Sequence, residues 1–202
     1  MAYDRLAESL RLIEVGITDD PLRLSRRRRF AAVAVDVDGD VACTWFVRCG
    51  AGGPLSETHL LARERGVWRL LGGGGGGHLD GGLADRQPAD VLGHYVGVRG
   101  GGAVVRNADR LLPWAGQWVR DAELSVSREV AGVEVVGRRA RPRRLRVPRH
   151  GHLVVVWATR RPPEVVAYDA DGRRLATVSV ADDVRMPIRY GSHWGHGRPA
   201  PR

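Results

Sequence analysis

Apolar residues recur at three- and four-residue spacing in "YDRLAESLRLIEV". Leu6, Leu10 and Ile13 form one stripe, which predicts an amphipathic helix from Tyr3 to Val15. Gly16 and Pro21 then break the pattern. In "FAAVAVDVDGDVACTWFVR" two apolar, β-branched runs flank Asp38-Gly39, a dipeptide that takes the positive φ angles of a tight hairpin. "SETHLLARERGVWRLL" repeats the plan, with Arg65-Gly66 at the turn and Trp68 on the returning strand. Residues 30–71 therefore read as a four-stranded antiparallel meander, with the helix available to cover one face.

Six consecutive glycines, Gly72 to Gly77, follow the meander. They open a stretch over 72–82 that reads as a flexible connection, costly in entropy to order. "DVLGHYVGV" and "GAVVRN" suggest a further hairpin around Gly100 to Gly102, and "ADRLLPWAGQWV" a short helical or irregular link. From Asp121 the alternation sharpens into six short strands: "AELSVS", "GVEVV", "RRLRVP", "HLVVVWAT", "PEVVAY" and "RLATVSV". The fourth is apolar on both faces, as a central strand must be. The last two flank Asp171-Gly172, a second strong hairpin signal. Turn signals at intervals of about ten residues predict a small, loosely immunoglobulin-like β-sandwich. The fold class expected is thus β-rich α+β. An α+β region spans 1–118, a basic β-sandwich 119–185, and a Gly- and Pro-rich tail 186–202 that composition marks as disordered.

Charge adds an asymmetry to this plan. All 32 basic residues are arginine against 23 acids, for a formal net charge of +9. The absence of lysine, with heavy Ala, Gly, Val and Pro usage, looks like codon bias, so arginine frequency alone says little about partners. Its distribution says more. Residues 1–118 carry 15 arginines and 14 acids, whereas residues 119–202 carry 17 and 9. Seven of the latter lie between Arg138 and Arg149 with no acid among them: Arg138, Arg139, Arg141, Arg143, Arg144, Arg146 and Arg149. In "RRLRV" the period of two puts Arg144 and Arg146 on one strand face, Leu145 and Val147 on the other. Such a face suits an acidic protein surface or another polyanion. Nucleic acid fits less well, because no Phe, Tyr or Trp lies between Arg120 and His152 to stack on bases, and no helix-turn-helix or zinc-finger pattern accompanies the arginines.

Catalytic and cofactor motifs are absent from the sequence. The glycine tract lacks the Lys of a P-loop, and Gly81, Gly82 and Pro88 interrupt the helix that a dinucleotide fingerprint requires. "DVDGD" and "YDADG" misplace the calcium-loop glycine or read as hairpin turns. His150 with His152, and His193 with His196, give paired imidazoles without the third and fourth ligands of a firm metal site. Cys43 and Cys49 form neither a C-x-x-C nor a disulfide framework, and Cys43 reads as a small buried hydrophobe. No G-x-S-x-G or S-x-x-K occurs. The expectation is therefore no cofactor, no metal and no enzyme activity. With no apolar run long enough to span a bilayer and no basic, apolar leader, the chain reads as cytoplasmic.

The stretch "VDGDVACTWFVR…ETHLLARERGVWRLLGG" resembles the sheet meander of nuclear-transport-factor-like cone folds, in which a leading helix packs on a curved sheet. The resemblance covers about forty residues of hairpin, and the later helices and inward acid/base pair of that family have no counterpart here. It would imply a cone-shaped pocket within 1–118 that binds or acts on a small apolar ligand, lined by His59 and Trp68. The leading expectation is instead a non-catalytic binding protein whose basic sandwich contacts an acidic partner through Arg138 to Arg149. Sequence-independent nucleic-acid binding through the same arginines is a further alternative.

Overall fold

A computed structural model of the chain describes residues 3–18, 24–78, 85–107, 116–137 and 141–180. The predicted helix forms as α1 (Arg5–Val15). Asp4 caps it by accepting the Leu6 and Ala7 amides at 3.0 and 3.1 Å. Gly16 ends it at φ 76°, where a side chain would be strained. Its most deeply buried residues are Ser9 and Leu12 rather than the apolar stripe alone.

The meander forms as predicted. β1 (Phe30–Asp38), β2 (Val41–Gly50), β3 (Gly53–Glu64) and β4 (Val67–His78) pair antiparallel in sequence order. Both predicted turns are two-residue hairpins, with Gly39 at φ 63° in one and Arg65 and Gly66 at φ 50° and 84° in the other. β4 corrects the reading of the glycine tract. Gly72 to Gly77 are strand, not a slack connection, and Gly72, Gly73, Gly74 and Gly75 lie opposite Leu60, His59, Thr58 and Glu57. Close approach explains the residue type. A Cβ on Gly73 would overlap the Thr58 carbonyl oxygen, and one on Gly75 would lie 2.6 Å from that of Ser56. Residues 79–84, the remainder of the expected connection, lie outside the described residues.

After the four-residue α2 (Ala89–Leu92), Gly100 to Gly102 also run within a strand. The hairpin expected there is a single β5 (Val96–Val105), bulged between Val98 and Gly100. Its partner β6 (Trp118–Val126) pairs with it throughout and with β9 (His152–Trp157) on the other side. The remaining strands, β7 (Gly132–Val136), β8 (Arg143–Leu145), β10 (Glu164–Tyr168) and β11 (Arg174–Ser179), form a third sheet in the order β11-β10-β7-β8. All six strands expected after residue 119 are present, divided between two sheets. β5 and β6 are hydrogen-bonded neighbours from the two sides of Trp118, so sheet pairing crosses the position where the composition changes. The tail at 186–202 lies outside the described residues.

The β5-β6-β9 sheet is the middle layer. Val119, Val154 and Val156 pack on Ala31, Val41, Cys43, Trp45 and Leu60 of the first sheet. Ala122, Leu124, Leu153 and Val155, on the opposite face, pack on Val133, Val135, Val165 and Ala167 of the third. Coverage on both sides is why every residue of β9 is buried. The protein is thus mostly β, in antiparallel sheets with a short N-terminal helix. Among the described residues no helix is long and apolar enough to cross a membrane.

Candidate functional site

The arginine cluster divides in three. Arg143, at the start of β8, turns inward. Its Nε donates to Asp36 Oδ1 at 2.9 Å, and its Nη2 donates to Asp36 Oδ2 at 2.6 Å and to the Val156 carbonyl at 2.7 Å. Asp36 Oδ2 also accepts the Val156 amide at 2.8 Å. Asp36 is 3% exposed, and the pair closes the outer edge of β9 against β1, satisfying backbone groups that no strand covers among the described residues. Burial lowers the Arg143 pKa, but the bonds and charge of Asp36, with Asp38 nearby, outweigh it and raise the pKa above its usual value. Arg149 pairs with Asp85 at the surface, at 2.7 and 3.1 Å. Arg141, Arg144 and Arg146 point outward, and the Arg144 side chain is 89% exposed with Glu134 4.0 Å away. Arg138 and Arg139 lie outside the described residues.

His59 and Trp68 do not share a pocket. Trp68, opposite Arg63 on the neighbouring strand, lies 5.4 Å under that guanidinium. His59, on β3, is 2% exposed beneath α1. Alternation along β3 puts Glu57 on the same face, and cross-strand pairing puts Thr44 opposite His59. His59 Nε2 lies 3.2 Å from Glu57 Oε1, His59 Nδ1 lies 3.0 Å from Ser9 Oγ, and Ser9 Oγ lies 2.8 Å from Thr44 Oγ1. Glu57 is held by Arg5 and Arg48, each at 2.8 Å. Burial alone would raise the Glu57 pKa, yet the His59 hydrogen bond and the two arginines bring it below the usual value. Burial lowers that of His59 in spite of Glu57. The ring is therefore neutral at pH 7, with Nε2–H donating to the carboxylate and Nδ1 accepting from the Ser9 hydroxyl.

Ser9, His59 and Glu57 are thus hydrogen-bonded in a row, an order that resembles an acyl-transfer triad. Ser9 has no exposed surface, and both ring nitrogens are engaged within the protein. The row pins α1 to the sheet and offers no substrate a route to the hydroxyl. The Glu57–His59 pairing was missed in the sequence, although alternation along β3 carries that signal, and nothing local pointed to Ser9. A cavity of about 250 Å³ beside the row is lined by Arg5, Arg48, Glu57, His59 and, on β4, Gly72 to Gly75.

Between the first and middle sheets lies a second buried polar group. Asp121, 1% exposed, has one oxygen without a hydrogen-bond partner among the described residues. Burial, with the Glu123 charge adding to it, pushes its pKa up to about 7. Burial also raises the pKa of Glu123, with Arg99 opposing, and that of the Cys43 thiol. His150 and His152 stack at 5.5 Å, and burial with the nearby Arg86 takes His150 down to about 4. Among the described residues no three His, Cys, Asp or Glu side chains are grouped to hold a metal ion. Comparison with protein-family models, with curated proteins and with solved structures finds no match to this chain.

Proposed function

We propose that this is a non-catalytic binding protein that engages an acidic partner through outward arginines on its C-terminal sheets. One observation carries the reading: several of the chain's carboxylates are turned inward while most of its described arginines are not. Asp36, Glu57 and Asp121 are buried, and the pKa of Asp121 near 7 leaves it partly uncharged at neutral pH. Of the arginines near them, Arg143 is largely enclosed, whereas Arg5 and Arg48 keep 59% and 45% of their side chains exposed. The surface is therefore more basic than the formal +9 implies. On this proposal the C-terminal sheets, read as immunoglobulin-like over 119–185, are the platform that carries Arg141, Arg144 and Arg146.

Fluorescence anisotropy with a labelled oligoglutamate peptide and a labelled DNA duplex, across a salt series, tests this. Salt-sensitive peptide binding that falls at least tenfold in an R141E/R144E/R146E triple variant is the expected result. Arg143 is left intact because it belongs to the core. No binding at low salt, or a triple variant that binds like the parent, overturns the proposal. Duplex binding tighter than peptide binding moves the reading to nucleic acid. The 250 Å³ cavity beside His59 favours a second reading, a small-ligand site in the N-terminal part, but without Trp68 in its lining.

A further inference from the structure

The four-arginine run before β1 has no role in the fold described above. Arg27, Arg28 and Arg29 are exposed, and none is ion-paired among the described residues. Their backbone is fixed all the same. The Ser25 side chain and backbone bond Arg28, and the Arg29 carbonyl accepts the Cys49 amide at 2.8 Å. The run is thus a held turn. It borders a cavity of about 550 Å³ between the C-terminal half of α1 and the start of β1. Arg11 of α1 lines the same cavity, with only a 3.9 Å contact to Glu8.

Apart from Glu8, Thr18 and His150, the rest of the lining is apolar. Leu12 and Phe46 form a buried floor, and Phe30 and Val15 form the walls. Val15, at 68% exposed, is a large apolar side chain that the fold leaves facing water. His150, neutral at pH 7, adds no charge. A volume of this size accepts a small organic molecule. Guanidinium groups bind carboxylate or phosphate oxygens in a bidentate fork, and each methylene laid on the floor adds to affinity through burial.

We infer that this cavity is a binding site for an amphipathic organic anion, an apolar body with a carboxylate or phosphate head held by Arg11, Arg27, Arg28 and Arg29. The concavity and apolar floor set it apart from the outward arginines of the C-terminal sheets. The inference stands whether or not those arginines bind an acidic partner.

Isothermal titration calorimetry of the full chain with decyl phosphate, below micelle formation, tests it against decanol and inorganic phosphate. Decyl phosphate binding at least tenfold tighter than either is expected, because neither the head nor the chain alone uses both linings. Arg28→Gln and Arg29→Gln should each weaken it about tenfold. Glu8→Gln, which removes the cavity's own carboxylate, should tighten it. R144E/R146E should leave it unchanged, which separates this site from the acidic-partner surface. Equal affinity for inorganic phosphate, equal affinity for decanol, no binding of decyl phosphate, or indifference to both arginine substitutions and to Glu8→Gln would each overturn the inference.

Discussion

Arg143→Met is the sharpest test of the three-layer arrangement. Methionine keeps much of the apolar stem and removes the guanidinium, and with it the two bonds to Asp36 and the one to the Val156 carbonyl. The carboxylate stays, 3% exposed, with the Val156 amide as its remaining described hydrogen bond. Removing one partner of a buried ion pair costs about 3–5 kcal/mol, because the other charge is left desolvated and uncompensated. The Val156 carbonyl, on the edge of β9, loses its donor as well. For a chain of this size that corresponds to a fall in Tm of about 6–20 °C, since each kcal/mol shifts it by about 2–4 °C. Urea unfolding followed by tryptophan fluorescence, with Asp36→Asn and the double variant completing a cycle, measures the coupling. Arg144→Met is the control, since a change at an exposed position stays within about 0.5 kcal/mol. A loss for Arg143→Met below about 1 kcal/mol, matching Arg144→Met, would refute the placement of Arg143 inside.

Asp121 should make stability fall as pH rises. Its folded pKa of about 7 lies above the unfolded value of about 3.9, so between these the folded state holds the extra proton and stability drops by up to about 1.4 kcal/mol per pH unit, levelling above pH 7. Asp121→Asn should flatten that slope in urea titrations at pH 5, 6, 7 and 8, and an unchanged slope would show that other groups set it. Gly73→Ala should destabilise by more than about 2 kcal/mol, because its Cβ overlaps the Thr58 carbonyl, whereas Gly74→Ala meets only the Thr58 hydroxyl at 3.4 Å and should cost about 1 kcal/mol or less. Equal melting temperatures for the two variants would contradict the β3–β4 register. Ser9→Ala removes the group linking Thr44 and His59 and should cost about 1–3 kcal/mol, with faster amide exchange across α1 as the local readout.

The strands were legible because each is written locally, in a period of two and a turn dipeptide. Asp38-Gly39, Arg65-Gly66 and Asp171-Gly172 all sit at or within hairpin turns, and "HLVVVW" is buried on both faces as its composition requires. The two glycine tracts misled for one reason. Glycine marks either a turn or a place where another backbone comes close, and only the neighbouring strand distinguishes them. Gly73 lies against Thr58, and Gly101 lies against Asp121, whose carbonyl a Cβ there would overlap. Both contacts join residues more than ten positions apart, beyond what a local pattern can register.

The same limit governs the arginines. Alternation correctly separates Arg144 and Arg146 from Leu145, and by the same rule it groups Arg143 with Leu145 on the inward face. What it cannot supply is the carboxylate that makes an inward arginine tolerable, because Asp36 lies 107 positions away on β1. A charge tally treats Arg143 and Arg144 alike, yet one neutralises a buried acid and the other faces water. Asp121 distorts the tally in the opposite direction, since the sequence counts a full negative charge that burial partly removes at neutral pH. The face a basic protein shows its partner is thus set by sheet order, which decides the charges that the layers enclose, more than by the run of arginines in the chain.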